Sequence, residues 1–438
     1  MKKQFLAILS VAISFGLLSG CSSTKPIEEP YMAPMESEYT ANKNWQVKLE
    51  RMPNLDTEGL FFDEDDQHIY IATESGHLAA LLKSNTSRWS DQVVWQSKFD
   101  SPIVSGPTLF EGKLYFGTSK GQLVSVSAKD GSYLWQTQLS SEVISRPVIA
   151  NRKVFTRTVD GKIYAVNQNG GKILWTAEHQ MPSLSLRGSP EVVYHQGYIF
   201  VGWESGMVQA LSAKSGSLQW ETRIAVPSGR TDLERIVDVQ SRLTFYDNRL
   251  FVMGYNGKLA SINPFNGQFY FVKDISGYRD FVIDGQRIYV VDSEDTLYAF
   301  DINNGVQVWK QSSFAKRLIG DLAQSKGHIL AVDSWGYLHW LNKLQGVEIA
   351  RFKHSNEYGD GNRIARVMSK ANKIYLLDEE GVITSYSIDI SDLRKFQMQY
   401  AQTEADQLAD DNKSGKDQSW WQSLWPSNSN EKVKENNE

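Results

Sequence analysis

Apolar and polar residues alternate in short runs along most of this chain: KLYFGT at Lys113–Thr118, YIFVG at Tyr198–Gly202, RIYVV at Arg287–Val291 and KIYLL at Lys373–Leu377. A period of two sends successive side chains to opposite faces, so each run predicts a half-buried β-strand. Asp160-Gly161 and Asn256-Gly257 follow such runs and read as hairpin turns, because Gly and Asn tolerate the positive φ that tight turns require. Another strand comes next, as at Lys162–Val166 and Thr296–Phe300, and then a second turn, as at Asp130-Gly131, Gly170-Gly171, Ser215-Gly216, Asn266-Gly267, Asn304-Gly305 and Gln345-Gly346. The pattern predicts antiparallel meanders.

The meanders repeat. From Gly121 to Trp135 (GQLVSVSAKDGSYLW) a turn glycine, a strand and a second turn lead to a tryptophan fourteen residues after the first glycine. The spacing recurs at Gly161 to Trp175, Gly206 to Trp220 and, with an acid in first place, Asp295 to Trp309. The first-turn anchors Gly76, Gly121, Gly161, Gly206, Gly257, Asp295, Gly336 and Gly381 lie 38 to 51 residues apart. Eight such units have the length of four-stranded propeller blades. A lone blade cannot hide both faces, so a large aromatic on its last strand is placed to fill the gap against a neighbour. Trp95 joins the set after a five-residue insertion, Phe271 substitutes in the fifth unit, and Ala350 in the seventh marks a weak blade.

The eighth unit has no last strand, since Lys395 in DISDLRKF stands fourteen residues after Gly381. The missing piece lies at the other end of the chain: Trp45-Gln-Val-Lys-Leu resembles Trp95-Gln-Ser-Lys-Phe and Trp135-Gln-Thr-Gln-Leu. Pairing with the strand that ends near Ile388 would close the ring and leave no bare sheet edge. The expected fold is all-β, an eight-bladed propeller over residues 42–390.

Composition changes the picture only at the margins. A chain of 438 residues, 41% hydrophobic, can bury a large core, and a formal net charge of −5 argues against nucleic acid as a partner. The seven histidines are scattered without metal-ligand spacing and are expected mostly at turns or on the surface. Asp63-Glu64-Asp65-Asp66 is expected to be a solvated turn rather than a calcium loop. No nucleophile elbow or phosphate loop occurs in strand-to-helix context, so no catalytic, cofactor or metal site is expected.

The two ends read differently. Lys2 and Lys3, the apolar stretch Phe5–Leu18 and small residues before Cys21 form a secretory signal over residues 1–20. Leu18-Ser-Gly-Cys21 resembles the bacterial lipobox, which implies acylation of Cys21, the only cysteine; Ser22 after it implies sorting to the outer membrane. Residues 21–41 read as a flexible tether. Residues 391–438 read as a disordered polar tail, except for Trp420-Trp421-Gln-Ser-Leu424-Trp425, which could serve as an interfacial membrane anchor or a docking motif.

Ser127-Ala-Lys-Asp-Gly-Ser-Tyr-Leu-Trp135 and Asp301-Ile-Asn-Asn-Gly-Val-Gln-Val-Trp309 resemble the repeat of the PQQ-type propeller family. That family holds both quinoprotein dehydrogenases and non-enzymatic scaffolds. The dehydrogenases commonly carry a vicinal Cys-Cys pair, which a single cysteine cannot supply. Met181-Pro-Ser-Leu-Ser-Leu-Arg-Gly188, together with DLERIVDV at Asp232–Val239 and GYLHW at Gly336–Trp340, is similar to the family's scaffold lipoproteins of the outer-membrane β-barrel assembly (BAM) complex. The resemblance implies a periplasm-facing, lipid-anchored scaffold that binds a POTRA domain of the central barrel subunit, BamA, and aids unfolded outer-membrane precursors. It places the partner contact on Leu184, Leu186, Arg187 and Asp238, while Gln240 stands where the family has a second aspartate. Taken without the resemblance, the alternation of Leu184 and Leu186 with serines reads first as the buried face of a fourth-blade inner strand, with Arg187 a solvated strand end. The competing class is a periplasmic PQQ- or metal-dependent oxidoreductase.

One prediction concerns the anchor. Cys21→Ala should leave the fold intact and release the protein from the membrane fraction or block its processing, checked by fractionation and intact mass. Recovery of the variant with the acyl mass would refute the site.

Overall fold

The alternating runs become strands in the computed structural model, which describes residues 28–49, 60–84, 91–182, 191–226, 243–277, 279–357 and 363–392, with positions 230, 237, 239, 394–395, 398–399 and 402–403 besides. The strands form eight four-stranded antiparallel sheets arranged as the blades of a ring. In seven blades the strands follow chain order from the inner to the outer edge. The second and third strands carry nearly all of the fully buried apolar side chains, such as Ile69, Tyr115, Phe155, Phe200 and Tyr289. Outer strands alternate between packed and open positions, leaving Tyr133, Leu134, Ile173, Leu174, Phe269 and Tyr270 exposed.

The first turns adopt the conformation that the anchors predict. Gly76, Gly121, Gly161, Gly206, Gly336 and Gly381 have positive φ, and so does Asp295 at +61°, the acid that replaces glycine in the sixth blade. In the fifth blade Asn256 at +46° takes the left-handed place one residue early. Asn and Asp bear this conformation better than other residues with a Cβ.

Each outer-strand tryptophan reaches forward into the second turn of the next blade. The indole N–H of Trp135 donates to the Gln168 carbonyl at 2.9 Å, and that of Trp220 to the Pro264 carbonyl at 2.8 Å; Trp95, Trp175 and Trp309 do the same to Ala128, Ala213 and Lys343. The ring lies flat on the turn glycine. A Cβ on Gly171 would sit 2.8 Å from a Trp135 ring carbon, and its φ of +72° independently disfavours any other residue. Behind the indole stands an aromatic from its own second strand, as Tyr115 stands behind Trp135 with centroids 6.0 Å apart. Phe271 makes the apolar part of this contact on Gly305. Opposite each outer-strand aromatic the third strand holds Ala or Ser, for example Ala80 opposite Trp95 and Ser125 opposite Trp135.

The seventh blade inverts this arrangement. Ala350 on its outer strand (Glu348–Lys353) faces Trp340 on its third strand, so the tryptophan has moved one strand inward and is fully buried. The reason lies in the eighth blade, ordered Tyr39–Lys48, Val382–Ile390, Lys373–Asp378, Ile364–Lys370. Its outer strand arrives from the N-terminal end of the chain, so no turn joins it to the third strand and there is nothing for a seventh-blade indole to grip. Trp340 packs instead in a cluster with Ile374, Leu376, Tyr386 and Ile388 of the eighth blade. The seventh blade is therefore tied to its neighbour by a different route, not left weak.

The closing strand pairs from Tyr39 opposite Ile390 to Lys48 opposite Val382, with a bulge between Lys43 and Trp45, and Trp45 is buried against Tyr375. It starts three residues before the expected boundary at residue 42. Ser37 Oγ accepts from the Arg351 amide and donates to the Arg351 carbonyl, both at 3.0 Å, and the Glu38 amide donates to Ile349, so the chain before the strand is already fixed to the seventh blade. At the other end, composition predicted a tail without structure. Ser391 caps a helical turn there, accepting from the Arg394 amide, and the described positions between 392 and 403 are helical. Trp420, Trp421, Leu424 and Trp425 lie outside the described residues.

Trp135→Ala should cost about 3–5 kcal/mol, the range for an aromatic deleted from a packed site, read by denaturant unfolding. Ala350→Trp, by contrast, should destabilise, because Trp340 fills the space opposite and no turn receives a second indole. A stability gain in Ala350→Trp would contradict this account of the seventh blade.

Candidate partner-binding surface

Leu184, Leu186, Arg187, Asp238 and Gln240 lie outside the described residues, as does Cys21. Their flanks are described, and these converge. The inner strand of the fourth blade is Val193–His195, so residues 183–190 precede it in the connection from the third blade. On the entering side, His179 follows the third blade's outer strand and Met181 packs in one apolar cluster with Val192, from the leaving side, and Trp203. Val237 and Val239, on either side of Asp238 in the connection to the fifth blade, are both buried. The Val239 amide donates to the Trp203 carbonyl at 3.3 Å, and a Cβ on Gly202 would meet the Val239 side chain at 2.5 Å. Gly202-Trp203-Glu204 thus lies where the described flanks of both connections meet.

A charged residue holds this segment from behind. Arg157, the last residue of the third blade's second strand, is wholly buried. It donates to the Gly202 carbonyl at 3.1 Å, pairs with the Glu204 carboxylate at 2.5 Å, lies over the Trp203 ring at 4.4 Å and approaches Met181 Sδ at 3.8 Å. A buried ion pair of this kind depends on its partners, since removing one leaves an uncompensated charge.

His179 stacks on the outer face of this group, its ring 4.3 Å from Trp203. The Trp203 indole donates to Gln209 Oε1, and the Gln209 amide donates to His179 Nδ1 and to Glu221. His179 Nε2 is left to donate to Ser205 Oγ at 3.3 Å, which sets the neutral tautomer. Burial, and then the Arg157 guanidinium, pull the imidazole below its ordinary value of 6.5, against the attraction of Glu221 and Glu204.

Two features differ from the sequence expectation. His339 and His354 are fully buried, bonded respectively to Glu348 and Asp333 and to Asp378 and Tyr386, because acceptors from neighbouring strands satisfy both ring nitrogens. The acidic run is not a free turn either: Asp63 and Glu64 are in the first blade's inner strand, paired with Arg146 and with Lys83 and Lys370. Among the described residues no group of three or more His, Cys, Asp or Glu side chains gathers as a metal site. Arg157, Trp203 and Glu204 were not singled out from sequence. The available signal was a charged residue closing the strand KVFTR, where both faces of a middle blade strand are packed.

Fold and repeat together define an eight-bladed propeller of the PQQ-repeat class, in which tryptophans on turn glycines join five of the blades to the next. The family model described as Outer membrane protein assembly factor BamB matches residues 84–311. The BamB of Escherichia coli K12 is 35% identical over 355 residues, spanning 79% of this chain and 91% of that protein. This chain belongs to the BamB family. Among solved structures, BamB from Moraxella catarrhalis superposes with a TM-score of 0.70 at 20% identity, covering 80% of this chain and all of that one. The quinohemoprotein alcohol dehydrogenase of Comamonas testosteroni has a TM-score of 0.61 at 11% identity, covering 80% of this chain and 76% of that one, which is a likeness of fold alone.

The depressed His179 gives a pH dependence with a fixed sign. The unfolded chain takes up a proton as pH falls through about 6.5 while the folded ring resists it, so stability present at neutral pH is lost from about 6.5 down to the lower folded value. His328, also lowered by burial, adds to the slope. The melting temperature should fall between pH 7 and pH 5.5, and less steeply in His179→Gln; equal slopes would remove His179 as a contributor.

Proposed function

We propose that this chain is a non-enzymatic scaffold of the outer-membrane β-barrel assembly complex, anchored to the outer membrane through acylated Cys21 and facing the periplasm. It binds a POTRA domain of BamA through the 183–190 connection and the connection that carries Asp238. The observation that carries this reading is the meeting of both connections' flanks on Gly202-Trp203-Glu204 in a chain of the BamB family. Two leucines beside one guanidinium suit a small hot spot, with Arg187 suited to a bidentate bond to a carboxylate. The exposed apolar positions of the outer strands, Tyr133, Leu134, Ile173 and Leu174 among them, support a second role, the pairing of extended precursor segments along the blade edges.

Arg187→Ala combined with Leu184→Ala should weaken POTRA binding by about 2–4 kcal/mol and leave the melting transition nearly unchanged. Asp238→Ala should weaken it in the same direction, and Gln240→Asp should be neutral or tighten it. If these leucines are core residues, the pattern reverses: large destabilisation, with binding lost only in proportion to unfolding. Saturable PQQ binding with dye-linked dehydrogenase activity would favour the oxidoreductase class.

A further inference from the structure

Arg157 is wholly buried, and the group it holds touches the described flanks of both connections. Its guanidinium grips Gly202 and Glu204 on one side and Met181 on the other, while Val239 hangs from the carbonyl of Trp203, the ring that Arg157 covers. His179 and Val192 close the same group around Trp203.

We infer that Arg157, with Glu204 and Trp203, is a positioning unit that sets the 183–190 connection and the Asp238 connection relative to one another, making two loops from different blade junctions into one binding surface. The inference rests on the partner surface proposed above and adds a coupling to it. Two loops on separate blade junctions would otherwise move independently, and a partner that engages both would lose binding free energy in ordering them. A buried charge pair suits the task better than apolar packing. Its bonds have fixed directions, so they specify one arrangement of Gly202-Trp203-Glu204 where greasy contacts would allow several.

The test uses the full chain with both charges removed together, Arg157→Met with Glu204→Leu, so that no unpaired charge is left behind. A control, Arg317→Met with Asp333→Asn, breaks the buried pair between the sixth and seventh blades while keeping an acceptor for the Trp335 and Tyr337 amides. Hydrogen exchange is followed in peptides covering residues 179–193 and 236–243, beside affinity for purified POTRA domains. The first variant should stay folded, speed exchange in both peptides by roughly tenfold or more, and weaken POTRA binding by about tenfold, while the control leaves both peptides unchanged. Unchanged exchange in either peptide of the folded variant would overturn the coupling. Equal loosening by the control would overturn it too, by reducing the effect to general destabilisation. Faster exchange in both peptides with undiminished POTRA affinity would uphold the positioning role and remove the proposed partner surface. A third variant, Trp203→Phe, keeps the ring but loses the bond to Gln209; it should preserve the exchange of 236–243 if the Trp203 carbonyl is what holds Val239.

Discussion

The contact on which the ring depends is an indole lying on a glycine turn of the following blade. It works in three ways at once: the ring buries apolar area, its N–H finds a carbonyl, and the turn can approach only because no Cβ intervenes. Since every contact points forward along the chain, each blade is stabilised by the next, and the series would end at an open face were it not closed. The exception shows what the contact needs. Where the fourth strand comes from the far end of the chain, the receiving turn is missing, and the tryptophan withdraws to the third strand opposite Ala350.

Because the blades are fastened at their outer turns, the connections between inner and outer strands are free to carry other work. Those flanking the fourth blade rest on a buried guanidinium, a buried carboxylate and a neutral imidazole, and a second buried guanidinium–carboxylate pair, Arg317 with Asp333, lies between the sixth and seventh blades. Polar groups this deep are costly unless all their bonds are made, and here most are.

Much of the architecture was legible because it is written in a repeated unit. Period-two alternation gave the strands, Gly and Asn gave the turns, and the spacing from Gly121 to Trp135 gave the blade. Even Trp45 could be recognised as displaced from the eighth unit. What escaped the sequence is what depends on which side chains meet across strands and blades. Trp340 replacing the missing outer tryptophan can be seen only once Ala350 is placed opposite it. His339 and His354 look like surface residues until neighbouring strands supply their acceptors. Arg157 reads as a strand end until Glu204, 47 residues on, turns out to be its partner. The segments that the family resemblance names, around Leu184 and Asp238, were legible as words and stay outside the described geometry; only their anchoring became visible.

The closing strand has a consequence for the order in which the molecule comes into being. Each blade forms from neighbours in the chain, but Tyr39 must find Ile390, the longest separation in the fold. Closing so long a loop costs about 2 kcal/mol more entropy than closing one unit-length segment, by the logarithmic scaling of loop closure. The longest ladder in the described structure, with Trp45 driven beneath it, offsets that cost. The first strand in chain order can therefore pair only once the last strand of the propeller is present. The eighth blade is the one sheet of the eight not built from a continuous stretch of chain, so completing it and closing the ring are the same step.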